Sequence, residues 1–151
     1  MQHYGAKPYF WSLTTKEMLM KTYHGSCHCG AVRFMADIDL AQGTLRCNCS
    51  ICAKLRFWPA IVASSAFNLL AGEDALADYQ FQTRRDHHYF CRHCGVHPFG
   101  TGTSPRWGAF HAVNVACLDD ATPEELAATP IMWIDGKHDK WDSAPDFTGH
   151  L

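Results

Sequence analysis

Apolar residues in this chain mostly alternate with polar ones over short stretches, the period of a half-buried strand rather than a helix. Residues 31–36 place Val32 and Phe34 on one face and Arg33 on the other, which predicts a strand. Gly43 marks a turn, and Thr44-Leu45-Arg46 leads onward. Residues 60–63 predict a short apolar strand with Pro59 at its start, where a missing donor is tolerated. Residues 67–70 precede another turn at Gly72, residues 79–82 alternate cleanly, and residues 88–90 predict a further strand. Pro98, Gly100, Gly102, Pro105 and Gly108 predict a loop over residues 98–108, with Phe99 and Trp107 available to line a pocket. Residues 109–118 form the longest strand candidate: His111, Val113, Val115 and Cys117 on one face, Phe110, Ala112, Asn114 and Leu118 on the other. Thr122, Pro123 and Glu125 stand at the N-cap, N1 and N3 positions of a short helix that Pro130 ends. Residues 132–134 predict a last strand, closed by the Asp135-Gly136 turn. The class is mainly β with short helices.

Residues 1–20 lack this pattern. Thr14-Thr15-Lys16-Glu17 has capping-box form and is compatible with a short helix through Met18, Leu19 and Met20. Met18 or Met20 could equally start the chain, leaving an incidental, poorly ordered extension, and this is the reading adopted. The organisation expected is therefore an N-terminal extension over 1–20 and one β domain over 21–151.

Charge and composition narrow the function. With 13 basic and 15 acidic residues the chain carries no electrostatic footprint for nucleic acid. No run approaches the ~18 apolar residues of a membrane helix. Nor does the N-terminus hold the apolar core of a signal peptide, since Lys7, Pro8, Lys16 and Glu17 interrupt it. Eight cysteines without a secretory signal point to a reducing, cytoplasmic compartment and to metal rather than disulfides.

Seven of those cysteines fall in three clusters: Cys27-His-Cys29-Gly30, Cys47-Asn-Cys-Ser-Ile-Cys52 and Cys91-Arg-His-Cys94-Gly95. Thiolates so crowded can converge on a soft ion, zinc by default. A closed tetrahedral site uses four and leaves three, the ligand number of a zinc that keeps a place for substrate. Spacing alone does not say which pair joins which. The two pairs could share one ion beside a separate triad, or Cys27 and Cys29 could share an ion with two of the triad. Cys117 reads as a small buried hydrophobe on its strand. Among the histidines, His97 and His111 are the pocket candidates, with a packing role leading for both. Lys54, Arg56, Arg84 and Arg92 are cations available to an anionic substrate, Lys54 and Arg56 being nearest in sequence to the triad.

The stretches Gly25-Ser-Cys-His-Cys-Gly-Ala-Val-Arg-Phe34, the 47–52 triad and Phe90-Cys-Arg-His-Cys-Gly-Val-His-Pro-Phe99 resemble the glutathione-dependent formaldehyde-activating enzymes and the centromere-protein-V-like proteins. Asn114-Val-Ala-Cys-Leu-Asp119 and Asp135-Gly-Lys-His138 extend the resemblance, which covers about residues 23–142. It implies a zinc β-tent of two small antiparallel sheets. It implies two zinc ions: a structural one on Cys27, Cys29, Cys91 and Cys94, and an open-sided catalytic one on Cys47, Cys49 and Cys52. It implies a carbon–sulfur lyase of the S-hydroxymethylglutathione synthase type, acting on glutathione or a related thiol adduct. Lys54 and Arg56 then become candidate contacts for the thiol's carboxylates. Where such proteins often carry a small, glycine-containing stretch, this chain has Ala53-Lys-Leu-Arg-Phe-Trp58, which implies a narrower or different pocket. The rival reading is a non-catalytic zinc-binding interaction module. A methionine-sulfoxide-reductase reading would rest on Cys117 alone.

Overall fold

The structure, a computed structural model, describes residues 20–151. Strands β1 (Lys21–Ser26) and β2 (Arg33–Ile38) form an antiparallel hairpin, and β5 (Phe67–Ala71) pairs antiparallel with the far edge of β2. The expected alternation holds: Val32, Phe34, Ala36 and Ile38 are all buried. The Phe34 ring lies across β1 at Gly25, where an added Cβ would sit 2.2 Å from Phe34 Cζ. On its other side the ring stacks on Phe67 at 5.4 Å and meets the edge of Phe99 at 6.2 Å, and these three rings fill the centre of the core.

The second antiparallel sheet has five strands, in the order β4 (Pro59–Ala63), β9 (Gly108–Asn114), β8 (Phe99–Ser104), β7 (His87–Cys91) and β6 (Leu76–Tyr79). Both antiparallel sheets of the expected architecture are therefore present. A parallel ladder of β3 (Thr44–Cys47) and β10 (Ile131–Ile134) joins them, with Ile131 opposite Thr44 and Ile134 opposite Cys47. Among the described residues there are two short α-helices, α1 (Ser50–Leu55) and α2 (Pro123–Ala128). The capping box of α2 is fully formed, since Thr122 Oγ1 accepts from Glu125 N–H at 3.1 Å and Glu125 Oε2 accepts from Thr122 N–H at 2.8 Å. Just beyond α2, Pro130 O accepts from the Thr44 amide at 2.8 Å and fixes the register of the parallel ladder. Among the described residues no helix is long and apolar enough to cross a membrane.

Several elements depart from expectation, each for a local reason. Residues 98–108 are not a loop: Gly100 and Gly102 lie inside β8, and the turn is confined to Pro105–Trp107. These glycines allow close approach, because a Cβ would sit 2.7 Å from His87 O at Gly100 and 2.7 Å from Phe110 Cζ at Gly102. The longest strand stops at Asn114, whose Oδ1 accepts from Ala116 N–H and starts a 3₁₀ turn over Val115–Cys117. Cys117 is buried, but in that turn rather than on a strand face. Strand β6 ends at Tyr79 because Gln82 and Arg84 take left-handed backbone, and Phe81 leaves the sheet to stack on Tyr79 at 5.7 Å. Helix α1 was hidden by the metal-ligand pattern of Cys49 at its N-cap and Cys52 in its first turn. The extension expected over residues 1–20 lies, except for Met20, outside the described residues.

Candidate metal centres

All eight cysteines are free thiols, and seven of them meet in two groups. In the first, Cys27, Cys29, Cys91 and Cys94 bring their sulfurs within 4.8 Å of one another. Cys27 follows β1 and Cys91 ends β7, so this group ties the hairpin of one sheet to a central strand of the other. The two turns that hold it are built alike. Cys27 N–H donates to Val32 O at 3.1 Å, and Cys91 N–H donates to Val96 O at 2.9 Å. Gly30 and Gly95 both take φ 78°, with nothing near a would-be Cβ, so glycine is required there by conformation and not by space. Cys27 and Cys29 sulfurs are 3.6 Å apart, Cys29 and Cys91 sulfurs 3.7 Å. A tetrahedron of sulfurs about 2.3 Å from one ion has edges of about 3.8 Å, so the donor set fits a thiolate-bound metal.

The second group, Cys47, Cys49 and Cys52, also lies within 4.8 Å, and among the described residues no fourth Cys, His, Asp or Glu joins it. Its position follows from the parallel ladder. Because β3 and β10 run the same way, the chain leaves both at one edge, with Cys47–Cys52 on one side and Asp135–His138 on the other. Cys47 ends β3, Cys49 caps α1 and Cys52 lies in the first turn of α1. The amide of Cys49 donates to Cys47 Sγ at 3.3 Å.

Across the gap, Gly136 touches the triad: a Cβ there would sit 2.7 Å from Cys47 Sγ, 3.0 Å from Trp141 Cη2 and 3.1 Å from Cys49 Cβ. Asn48, between two of the cysteines, clamps the same segment. Its Nδ2 donates to Asp135 Oδ1 at 2.7 Å and its Oδ1 accepts from Lys137 N–H at 2.9 Å. Asp135 is buried, and both of its carboxylate oxygens lie 2.8 Å from His138 Nδ1.

Within each group the neighbouring sulfurs drive the thiols apart, some down and some up. The thiols of Cys47 and Cys52, with amides at the start of α1, bring the Cys49 thiol down to about 2, whereas Cys52 is pushed up by its two sulfur neighbours and by burial. In the four-thiol group, the amides of Val96 and Cys29 lower Cys94 to about 6.

The other residues picked from sequence lie apart from the sulfurs or are otherwise engaged. Lys54 is exposed on α1 two positions beyond Cys52, a spacing that turns the two side chains away from each other. Arg56 ends α1 in left-handed conformation and its Nη2 donates to His150 O at 2.8 Å. His111 stacks on Phe67 at 4.2 Å, and burial lowers its pKa. His97 packs on Phe90 at 5.3 Å, and its carbonyl oxygen accepts from Asn114 Nδ2. Both histidines therefore serve packing. Cys117, pushed up to about 12 by burial and then by Asp119, is a buried thiol. Sequence reasoning missed Asn48, Gly136, His138 and Trp141. An amide flanked by two candidate ligands was the available signal for Asn48, and the turn glycine hid a packing glycine.

The sequence model of the family described as glutathione-dependent formaldehyde-activating enzyme matches residues 22–136. The chain is also similar to a Rhodobacter sphaeroides protein known from a structural-genomics crystal structure. Identity is 32% and the TM-score 0.62, over 72% of this chain and 99% of that one.

Proposed function

Because the chain belongs to the glutathione-dependent formaldehyde-activating enzyme family, we propose that it is a zinc-dependent carbon–sulfur lyase. It would join formaldehyde, or another small carbonyl compound, to the thiol of glutathione or a related thiol, and release it in reverse. The observation that carries this reading is the inequality of the two sulfur groups, one with four thiols and one with three. We assign Cys27, Cys29, Cys91 and Cys94 to a structural zinc and Cys47, Cys49 and Cys52 to a reactive one. Zinc in the triad would supply a place for a substrate sulfur and hold it as thiolate at neutral pH.

The chain's own residues build the rest of the site. Gly136 leaves room beside Cys47, and Trp141, half exposed, walls that side. Asn48 locks the triad to the segment after β10, so the thiols are oriented before substrate arrives. Lys54 and Arg56 remain the cations nearest in sequence for the carboxylates of the thiol substrate. With Lys54 turned from the sulfurs and Arg56 donating to His150, Lys137 is the cation we rank above them. The reaction forms one S–C bond, breaks the carbonyl π bond and moves one proton from sulfur to oxygen. The eight free thiols also fit the reducing cytoplasmic setting expected from the sequence.

The test is calorimetric titration of zinc-loaded protein with glutathione, paired with exchange NMR of adduct formation. Saturable binding and faster exchange, both lost in Cys49→Ser, are expected. No binding and no acceleration would leave a zinc-binding interaction module instead.

A further inference from the structure

The segment after β10 holds a histidine–carboxylate pair, Asp135 and His138, close in the chain to the residues that pack on the triad. Asp135 is only 5% exposed, while the His138 side chain is 60% exposed. Asn48 Nδ2 donates to Asp135 Oδ1, and His138 Nδ1 lies 2.8 Å from both carboxylate oxygens. The Asn48 amide and then the His138 ring hold Asp135 below the ordinary carboxylate range, which makes it an acceptor at neutral pH. An ionised carboxylate cannot donate, so the proton shared at 2.8 Å belongs to His138 Nδ1. The lone pair of the neutral ring is then on Nε2, on the exposed side.

This pair is coupled to the thiols through two short links. Asn48 lies between Cys47 and Cys49 and holds Asp135 directly. Gly136, which abuts Cys47 Sγ, belongs to the same 3₁₀ turn, Gly136–His138, as the histidine. The imidazole is therefore held by Asp135 on the same turn whose Gly136 abuts the triad.

We propose that His138, aligned by Asp135, is the proton carrier of the thiol–carbonyl addition, an inference that rests on the triad reading above. Nε2 takes the proton of the substrate S–H, and the sulfur pair forms the bond to the carbonyl carbon. The carbonyl π pair moves to oxygen, and the imidazolium returns the proton there. Nothing is oxidised, and the thiol and aldehyde are the only reactants. In reverse the same ring deprotonates the hydroxyl and protonates the leaving sulfur. Asp135 and Asn48 are positioning residues.

The experiment compares wild type and His138→Gln, both zinc-loaded, by zinc content, glutathione titration and exchange NMR with formaldehyde across pH. Asp135 pairs directly with the ring, Lys137, Asp139 and Lys140 are the charged residues adjoining it in the chain, and the three cysteines lie across Asn48. Expected for His138→Gln are unchanged zinc content and glutathione affinity, a fall in kcat of about 100-fold, and loss of the imidazole limb from the pH–rate profile. Asp135→Asn should lower kcat with a displaced limb. An active wild type with an unaffected His138→Gln overturns the role of His138 alone. Loss of zinc together with activity in His138→Gln marks a structural residue and overturns it too. A wild type that does not accelerate the reaction overturns the triad reading and this proposal together.

Discussion

Replacing Gly136 by alanine tests whether the segment after β10 holds the triad in shape. The Gly136 backbone lies outside the left-handed region, so alanine meets no conformational penalty and any effect comes from the added methyl. That methyl would stand 2.7 Å from Cys47 Sγ and 3.1 Å from Cys49 Cβ. Ordinary non-bonded contact begins near 3.5 Å, so one partner must give way by roughly 0.8 Å. Metal–sulfur distances tolerate only about 0.2 Å, so a sulfur displaced that far no longer serves its ion well. Overpacking of this kind costs about 1–3 kcal/mol, and disturbed support around a metal costs about 10–100-fold in affinity. Competition with a chromophoric chelator should show one of two zinc equivalents released earlier in Gly136→Ala, the other unmoved. Gly95→Ala is the contrast. At φ 78° with no neighbour within 4 Å it introduces strain without contact, which costs about 1–2 kcal/mol of stability. Wild-type affinity for both zinc equivalents in Gly136→Ala would refute the reasoning.

Cys91→Ser should cost the fold, because a structural zinc contributes about 10 kcal/mol or more to folding, whereas Cys49→Ser should stay folded and lose only the triad metal; thermal melts with metal analysis distinguish them. Cys117→Ala should lower stability by about 1 kcal/mol and leave two zinc equivalents in place, as thermal melts and elemental analysis would record. Glu125 is held down to about 2 by the Thr122 amide, Lys21 and Tyr23. A depressed carboxylate contributes stability above its unfolded value, 4.5, and loses it as pH falls towards 2. The melting difference between wild type and Glu125→Gln should therefore be present at pH 5 and shrink on acidification; a constant difference would contradict the assignment.

Much of the sheet framework was legible because the core uses strict alternation, as in Val32–Phe34, and α2 was legible from the capping box at Thr122. The strand hidden in residues 98–108 was not, since Gly100 and Gly102 mimic a loop while serving contacts with His87 and Phe110 on the two neighbouring strands. The sulfur groups were legible from clustering, but the ring of support around the triad was not. Asn48, Gly136 and His138 gain their meaning from the parallel ladder, a pairing across some ninety residues that no local pattern announces. Lys54 and Arg56 are near the triad in sequence, but α1 turns Lys54 away from Cys52 and Arg56 donates to His150 O.

The most direct test of the central claim is zinc-edge X-ray absorption of the doubly loaded protein, before and after glutathione. Four thiols at one site and three at the other average about 3.5 sulfurs per zinc. Glutathione binding through sulfur should raise the average to about 4, with the added sulfur near 2.3 Å, and Cys49→Ser should abolish the change. A sulfur count that starts at that value, or does not move at saturating glutathione, would contradict a triad that takes a substrate thiol.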